Sequence, residues 1–148
     1  MIGVVTLASL ALPSPAVSQR ATGRSGVAAA LSFANWDIYR TTGGYFDAAA
    51  DSDPLLHTWS LSVEEQFYFI FPLLVIAALA VARRVGKQPQ VRRMAVAGMF
   101  AGMAAVSLVL AVKLMQGMTL PGVSLPKTFA FYASPSRAWE FIVGVMLA

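Results

Sequence analysis

The sequence has no cysteine and a single histidine, His57, in 148 residues. Without thiols there is no disulfide framework, no thiolate metal site and no cysteine nucleophile. One His without HExxH-type spacing ligates poorly, so no metal site is expected. Charge is scarce as well. Lys, Arg, Asp and Glu together make up 12% of the residues, about half of the roughly 25% usual in soluble domains. That is too little to clothe a soluble surface. Disorder is excluded by the same balance, since it needs low hydrophobicity and high charge, whereas 57% of this chain is hydrophobic. With a mean hydropathy of +0.66, the chain belongs in a bilayer.

Acids are rarer than bases, 7 against 11, for a net charge of +4. The placement of the bases argues against nucleic acid as a partner. Arg83, Arg84, Lys87, Arg92 and Arg93 form one acid-free run between two long apolar stretches. Such a run reads as a short cytoplasmic loop under the positive-inside rule. A nucleic-acid surface would need a polar domain to carry it, and the composition provides none.

A spanning helix needs about 20 mostly apolar residues. Residues 67–82, extended upstream to 61, meet this with Pro72 inside, and residues 94–112 form a second span. Gly98 and Gly102 in the second have the spacing of close helix packing. Three further segments are weaker. Residues 1–12 are apolar but short, and they lack the positive leader of a signal peptide. Residues 26–39 make a marginal span containing Asn35, Trp36 and Asp37, and residues 129–148 begin another apolar helix within which the sequence stops. The reading is an all-α, polytopic transmembrane helix bundle with about four to five spanning helices, cut from the middle of a longer membrane protein. If 83–93 is cytoplasmic, residues 41–59, with Asp47, Asp51 and Asp53 and no base after Arg40, face the other side. Arg20 and Arg24 then return to the cytoplasmic side, and 113–128 to the outer one.

Chemistry concentrates in two places. The first is His57-Thr-Trp59-Ser60-Leu-Ser62-Val-Glu64-Glu65-Gln66-Phe67-Tyr68-Phe-Ile-Phe71-Pro72. Asp53-Pro54 is one candidate helix start, an N-cap followed by Pro at N1. Ser62-x-x-Glu65 is another, a capping-box pattern. At 100° per residue, Ser60, Glu64, Tyr68 and Phe71 share a face, joined by His57 if the helix begins at Pro54; Pro72 should kink the helix. Glu64 and Glu65 are acceptable as carboxylates at a helix N-terminus. Yet adjacent residues point about 100° apart, so one of the two must face protein or a cavity, and ionisable groups at membrane depth signal function. His57 also reads as an ordinary loop residue, and Trp59 and Tyr68 as an interfacial aromatic belt. The second place is Ser134-Pro135-Ser136-Arg137-Ala-Trp139-Glu140, where Ser-Pro marks a helix start and Arg137 and Glu140 stand at i, i+3, the spacing of an internal ion pair. Topology puts both clusters on one side, where they would frame a polar cavity. The residues themselves leave transport and catalysis both open.

At these stretches the sequence resembles a family. HTWSLSVEEQFYFIFP is similar to the signature of the acyltransferase 3 family of bacterial integral-membrane O-acyltransferases, which includes O-antigen and peptidoglycan O-acetyltransferases. FANWDIYRTTGGYFDAAADSDPLLHTWS before it and FYASPSRAWEFIVGVMLA after it look like the same family in its order and spacing. The resemblance implies that residues 1–148 are part of a single acyltransferase 3 transmembrane domain, truncated at both ends, in a bacterial cytoplasmic (inner) membrane. It implies transfer of an acyl group, usually acetyl, from acyl-CoA to a hydroxyl of a cell-envelope glycan or lipid-linked sugar. Donor, acceptor and membrane lipids would be the partners, with no bound cofactor. Ser60 with Glu64 and Glu65 match the family's SxxxE motif, and Arg137 and Glu140 its RxWE motif. The catalytic His region of the family's first helices has no counterpart here, since His57 matches the second motif, so the chain by itself is expected to be inactive. The expected catalytic set is Glu64, Glu65 and His57, with Ser60, Tyr68, Trp59, Arg137 and Glu140 on the substrate side. A transporter or flippase subunit without bond chemistry is the alternative, although no internal repeat of the transporter kind is visible.

Overall fold

The computed structural model describes residues 16–41 and 55–147. Every regular element among them is helical: α1 Ala16–Ala30, α2 Ala34–Thr41, α3 Thr58–Val85, α4 Pro89–Met115, α5 Pro126–Tyr132 and α6 Ser134–Leu147. The chain divides into two compact units, Met1–Glu65 and Gln66–Ala148; the first turns of α3 belong to the first unit and the remainder of α3 to the second.

In the first unit, α1 ends in a reversal. The Phe33 N–H reaches the Ala28 carbonyl at 2.7 Å and the Ser32 N–H reaches that of Ala29 at 3.1 Å, the paired bonds of a Schellman motif. Ser32 takes the left-handed position of that motif at φ 60°, where glycine is usual because a Cβ is disfavoured there. The chain then doubles back so that Arg24 on α1 and Asp37 on α2 pair at 2.5 Å. Residues 26–39 are therefore not one span. They are two helices around a turn, and the placing of Arg24 and residues 41–59 on opposite sides of a membrane loses its basis. Asp37 in the first turn of α2 and Arg40 in its last each suit the helix dipole. The Ser62 hydroxyl accepts the Ala34 N–H at 3.3 Å. Ser62 thus caps α2, not its own helix, and the expected Ser62-x-x-Glu65 capping box is not formed because α3 already begins at Thr58. Leu55, Leu56, Trp59 and Val63, together with Ala29, Ala34 and Ile38, are the buried apolar side chains among the described residues of this unit.

In the second unit α3 continues through Pro72 without interruption and α4 returns beside it. Ala78, Phe100, Ala104 and Ile142 form the core, flanked by Phe67, Phe71, Val96, Met103 and Trp139. Phe67 stacks on Phe141 with centroids 4.7 Å apart and on Phe71 at 5.0 Å, and Phe71 meets Phe100 at 5.6 Å. α4 closes with a second Schellman motif, Met118 N–H to Lys113 and Gly117 N–H to Leu114; here Gly117, φ 93°, fills the left-handed site. The expected last apolar helix is two pieces broken at Ala133, whose extended backbone is the usual N-cap conformation of a helix that carries Pro135 in its first turn. A Cβ at Gly98 or Gly102 would meet nothing within 4 Å, so no described helix closes on that small-residue face.

α3 and α4 are the helices among the described residues that are long and apolar enough to cross a membrane, with mean hydropathy 1.9 and 2.2 over their best windows. Little of either is covered by other described residues. Phe69, Ile70, Leu73 and Ile76 on α3, and Met94, Val106 and Val109 on α4, are at least half exposed. Bare apolar surface on this scale is incompatible with water and natural in lipid. The chain is a membrane protein.

Candidate active site

The two acidic residues on which the sequence converges have different surroundings. Both are half-buried near the start of α3. Glu65 accepts the Ser32 hydroxyl through Oε2 at 2.5 Å, so it is tied to the α1–α2 turn. Glu64, one residue earlier and about 100° around the helix, has no hydrogen bond or ion pair among the described residues. A hydroxyl donating to a carboxylate is among the stronger neutral-to-charged bonds; it spends one carboxylate on structure and leaves its neighbour available.

The other predicted residues of this unit lie as follows. His57 is exposed in the turn Leu55–His57 preceding α3. It does not join the Ser60 and Glu64 face as a helical residue, because the helix starts at Thr58, whose hydroxyl bonds the Leu55 carbonyl at 2.7 Å. Ser60 is exposed and donates to the His57 carbonyl at 3.3 Å. Trp59 is buried at 7% exposure, so its indole is wall rather than open contact surface. Asp53 and Pro54, the alternative helix start, lie outside the described residues, as do residues 1–12 and the acids Asp47 and Asp51.

In the second unit Tyr68 is exposed on α3. Arg137 and Glu140 sit on the first turns of α6 and pair as their spacing predicts. Arg137 Nη2 donates to Glu140 Oε2 at 2.6 Å, and Nε reaches Oε2 at 3.1 Å and Oε1 at 3.2 Å, a fork that holds the carboxylate in one orientation. A net of serine hydroxyls sets the helix beneath them. Ser134 donates to Gln66 Oε1 on α3. Ser136, at 1% exposure, donates to the Ala133 and Ala130 carbonyls at 2.8 and 3.0 Å and joins α5 to α6. Ser107 of α4 donates to the Pro135 carbonyl at 2.7 Å and accepts the Trp139 N–H at 3.1 Å. Those two groups stand four residues apart and are the pair one helical turn would join, so the hydroxyl docks on the ladder of α6 itself. Sequence reasoning missed Ser32 and Ser107. A serine inside an apolar span carries no signal of its partner, and the left-handed site of Ser32 would have been sought at a glycine.

No family model matches the chain, and no solved structure matches it. Curated proteins do. The chain is 44% identical over 62 residues to an uncharacterized protein of Haemophilus influenzae, a match covering 42% of this chain and 25% of the relative. It is 42% identical over 52 residues to the O-acetyltransferase OatA of Staphylococcus aureus, covering 35% of this chain and 8% of the relative. It is 27% identical over 114 residues to YrhL of Bacillus subtilis, whose name provisionally assigns it peptidoglycan O-acetyltransfer; that match covers 77% of this chain and 16% of the relative. The chain thus spans a quarter or less of the curated relatives it matches. These partial likenesses support an acyltransferase-like family and a transferase.

Proposed function

We propose that the chain is part of an acyltransferase 3 transmembrane domain in a bacterial inner membrane, crossing it several times. Its reaction moves an acyl group, acetyl from acetyl-CoA, to a hydroxyl of a cell-envelope glycan or lipid-linked sugar. The reading is carried by the Glu64 carboxylate: in a chain similar to O-acetyltransferases, it is the member of the acidic pair without a hydrogen bond or ion pair among the described residues. In the proposed step the acceptor oxygen attacks the thioester carbonyl carbon as its proton passes to a carboxylate base. A C–O bond forms, the C–S bond breaks, and the CoA sulfur leaves, taking up the proton. Glu64 is the candidate base. Glu65, fixed by Ser32, and His57, Ser60, Trp59 and Tyr68 shape the acceptor side, and the Arg137–Glu140 fork offers its guanidinium to an anionic group on a substrate.

The test is Glu64→Gln in the protein that carries this chain together with the rest of the domain. Transfer of radiolabelled acetyl from acetyl-CoA should disappear while membrane insertion and protein level stay unchanged. Retained transfer removes Glu64 from the chemistry.

A further inference from the structure

The turn between α3 and α4 is built of cations with no counter-charge. Arg83 and Arg84 lie in the last turn of α3, Lys87 in the three-residue connection, and Arg92 and Arg93 at the start of α4. No Asp or Glu occurs anywhere between Glu65 and Glu140, and Glu140 is held by Arg137. None of the five is in an ion pair among the described residues.

The turn is also tight. Arg92 Nε donates to the Gly86 carbonyl at 2.8 Å, which anchors that guanidinium across the connection and leaves its two outer nitrogens free to bind. A Cβ on Gly86 would lie 2.9 Å from Val91 Cγ1, so the two helix ends meet at close contact. The cations are thus displayed on a folded corner, not on a loose linker. Directly beside them the stems are apolar and bare: Val81 and Val85 on α3, Val91 and Met94 on α4 are all exposed. A soluble polyanion would satisfy the arginines and leave that collar in water. A phospholipid covers both, with its phosphate on the guanidinium groups and its acyl chains along the collar.

We infer that the α3–α4 turn is a binding site for anionic phospholipid headgroups, selective over zwitterionic ones. The inference stands whether or not the acyl-transfer reading holds. Membrane-proximal Lys and Arg contribute about 1 kcal/mol each toward anionic lipid, which is on the order of fivefold in preference per cation engaged.

The experiment reconstitutes the complete chain in nanodiscs of equal parts phosphatidylcholine and phosphatidylglycerol, then counts retained lipids by native mass spectrometry after release into detergent. Phosphatidylglycerol should be enriched on the order of fivefold or more. The R83Q/R84Q/K87Q/R92Q/R93Q variant should hold the two lipids equally, and a variant with the four arginines replaced by lysine should keep the preference. On the unaltered protein, raising ionic strength before release should reduce the enrichment, because phosphate–guanidinium attraction at a surface is screened; this arm needs no variant to fold. Enrichment that persists in the glutamine variant or is indifferent to salt overturns the inference. So does displacement of the lipid by inorganic pyrophosphate, which would assign the corner to a soluble polyanion instead.

Discussion

Ser32 occupies a backbone conformation that disfavours its own side chain, and its hydroxyl makes a bond that glycine there could not make. The left-handed region costs a non-glycine residue roughly 1–2 kcal/mol. Against this stands the 2.5 Å bond to the Glu65 carboxylate. Hydrogen bonds to charged groups contribute about 1.5–3 kcal/mol, and the half-buried setting of both partners places this one toward the lower end. Ser32→Ala keeps the strain and loses the bond, so it should destabilise the protein by about 1.5 kcal/mol. Ser32→Gly loses the same bond but relieves the strain, and should lie about 1 kcal/mol above the alanine variant while staying below the parent. Denaturant unfolding in detergent, followed by tryptophan fluorescence, measures the order, since Trp36 and Trp59 both lie in this unit. A double-mutant cycle with Glu65→Gln isolates the bond and should show coupling of about 1 kcal/mol. A glycine variant more stable than the parent, or alanine and glycine variants of equal stability, would refute the reasoning. In the first case the bond would not outweigh the strain, and in the second there would be no strain for it to offset.

Two other positions separate structure from chemistry. Ser107→Ala should cost less than about 1 kcal/mol, because the Pro135 carbonyl and Trp139 N–H can then bond each other within α6. Ser107→Val presses branched methyls onto that same backbone and should cost about 1–3 kcal/mol; the same unfolding assay reads both. Arg137→Gln removes an i, i+3 pair whose members are 26% and 37% exposed, so stability should change by about 0.5 kcal/mol or less. Acetyl transfer by the complete domain should nevertheless fall steeply, with a rise in KM for the substrate that carries the anion. Unchanged transfer would reduce the pair to a structural one.

The helical class and the two long spans were legible in the sequence because they depend on composition and run length, which a bilayer reads directly. The Arg137–Glu140 pair was legible for a similar reason, since i, i+3 spacing on a helix is local. What sequence could not show depends on partners far along the chain. Residues 26–39 looked like a marginal span because hydropathy averages over Leu31, Ser32 and Phe33 and carries no trace of the reversal there. That reversal is secured by Arg24 with Asp37, 13 residues apart, and by Ser32 with Glu65, 33 residues apart. Ser62 shows the same effect at a cap: its pattern with Glu65 is a capping box by sequence, yet the earlier helix start at Thr58 frees both side chains to hold another helix and its turn. Glu64 and Glu65 make the sharpest case. Side by side they are chemically identical, and helical geometry alone says only that they point apart. It is the serine forced into a left-handed turn that distinguishes them, taking Glu65 into the scaffold and leaving Glu64 without a hydrogen bond or ion pair among the described residues.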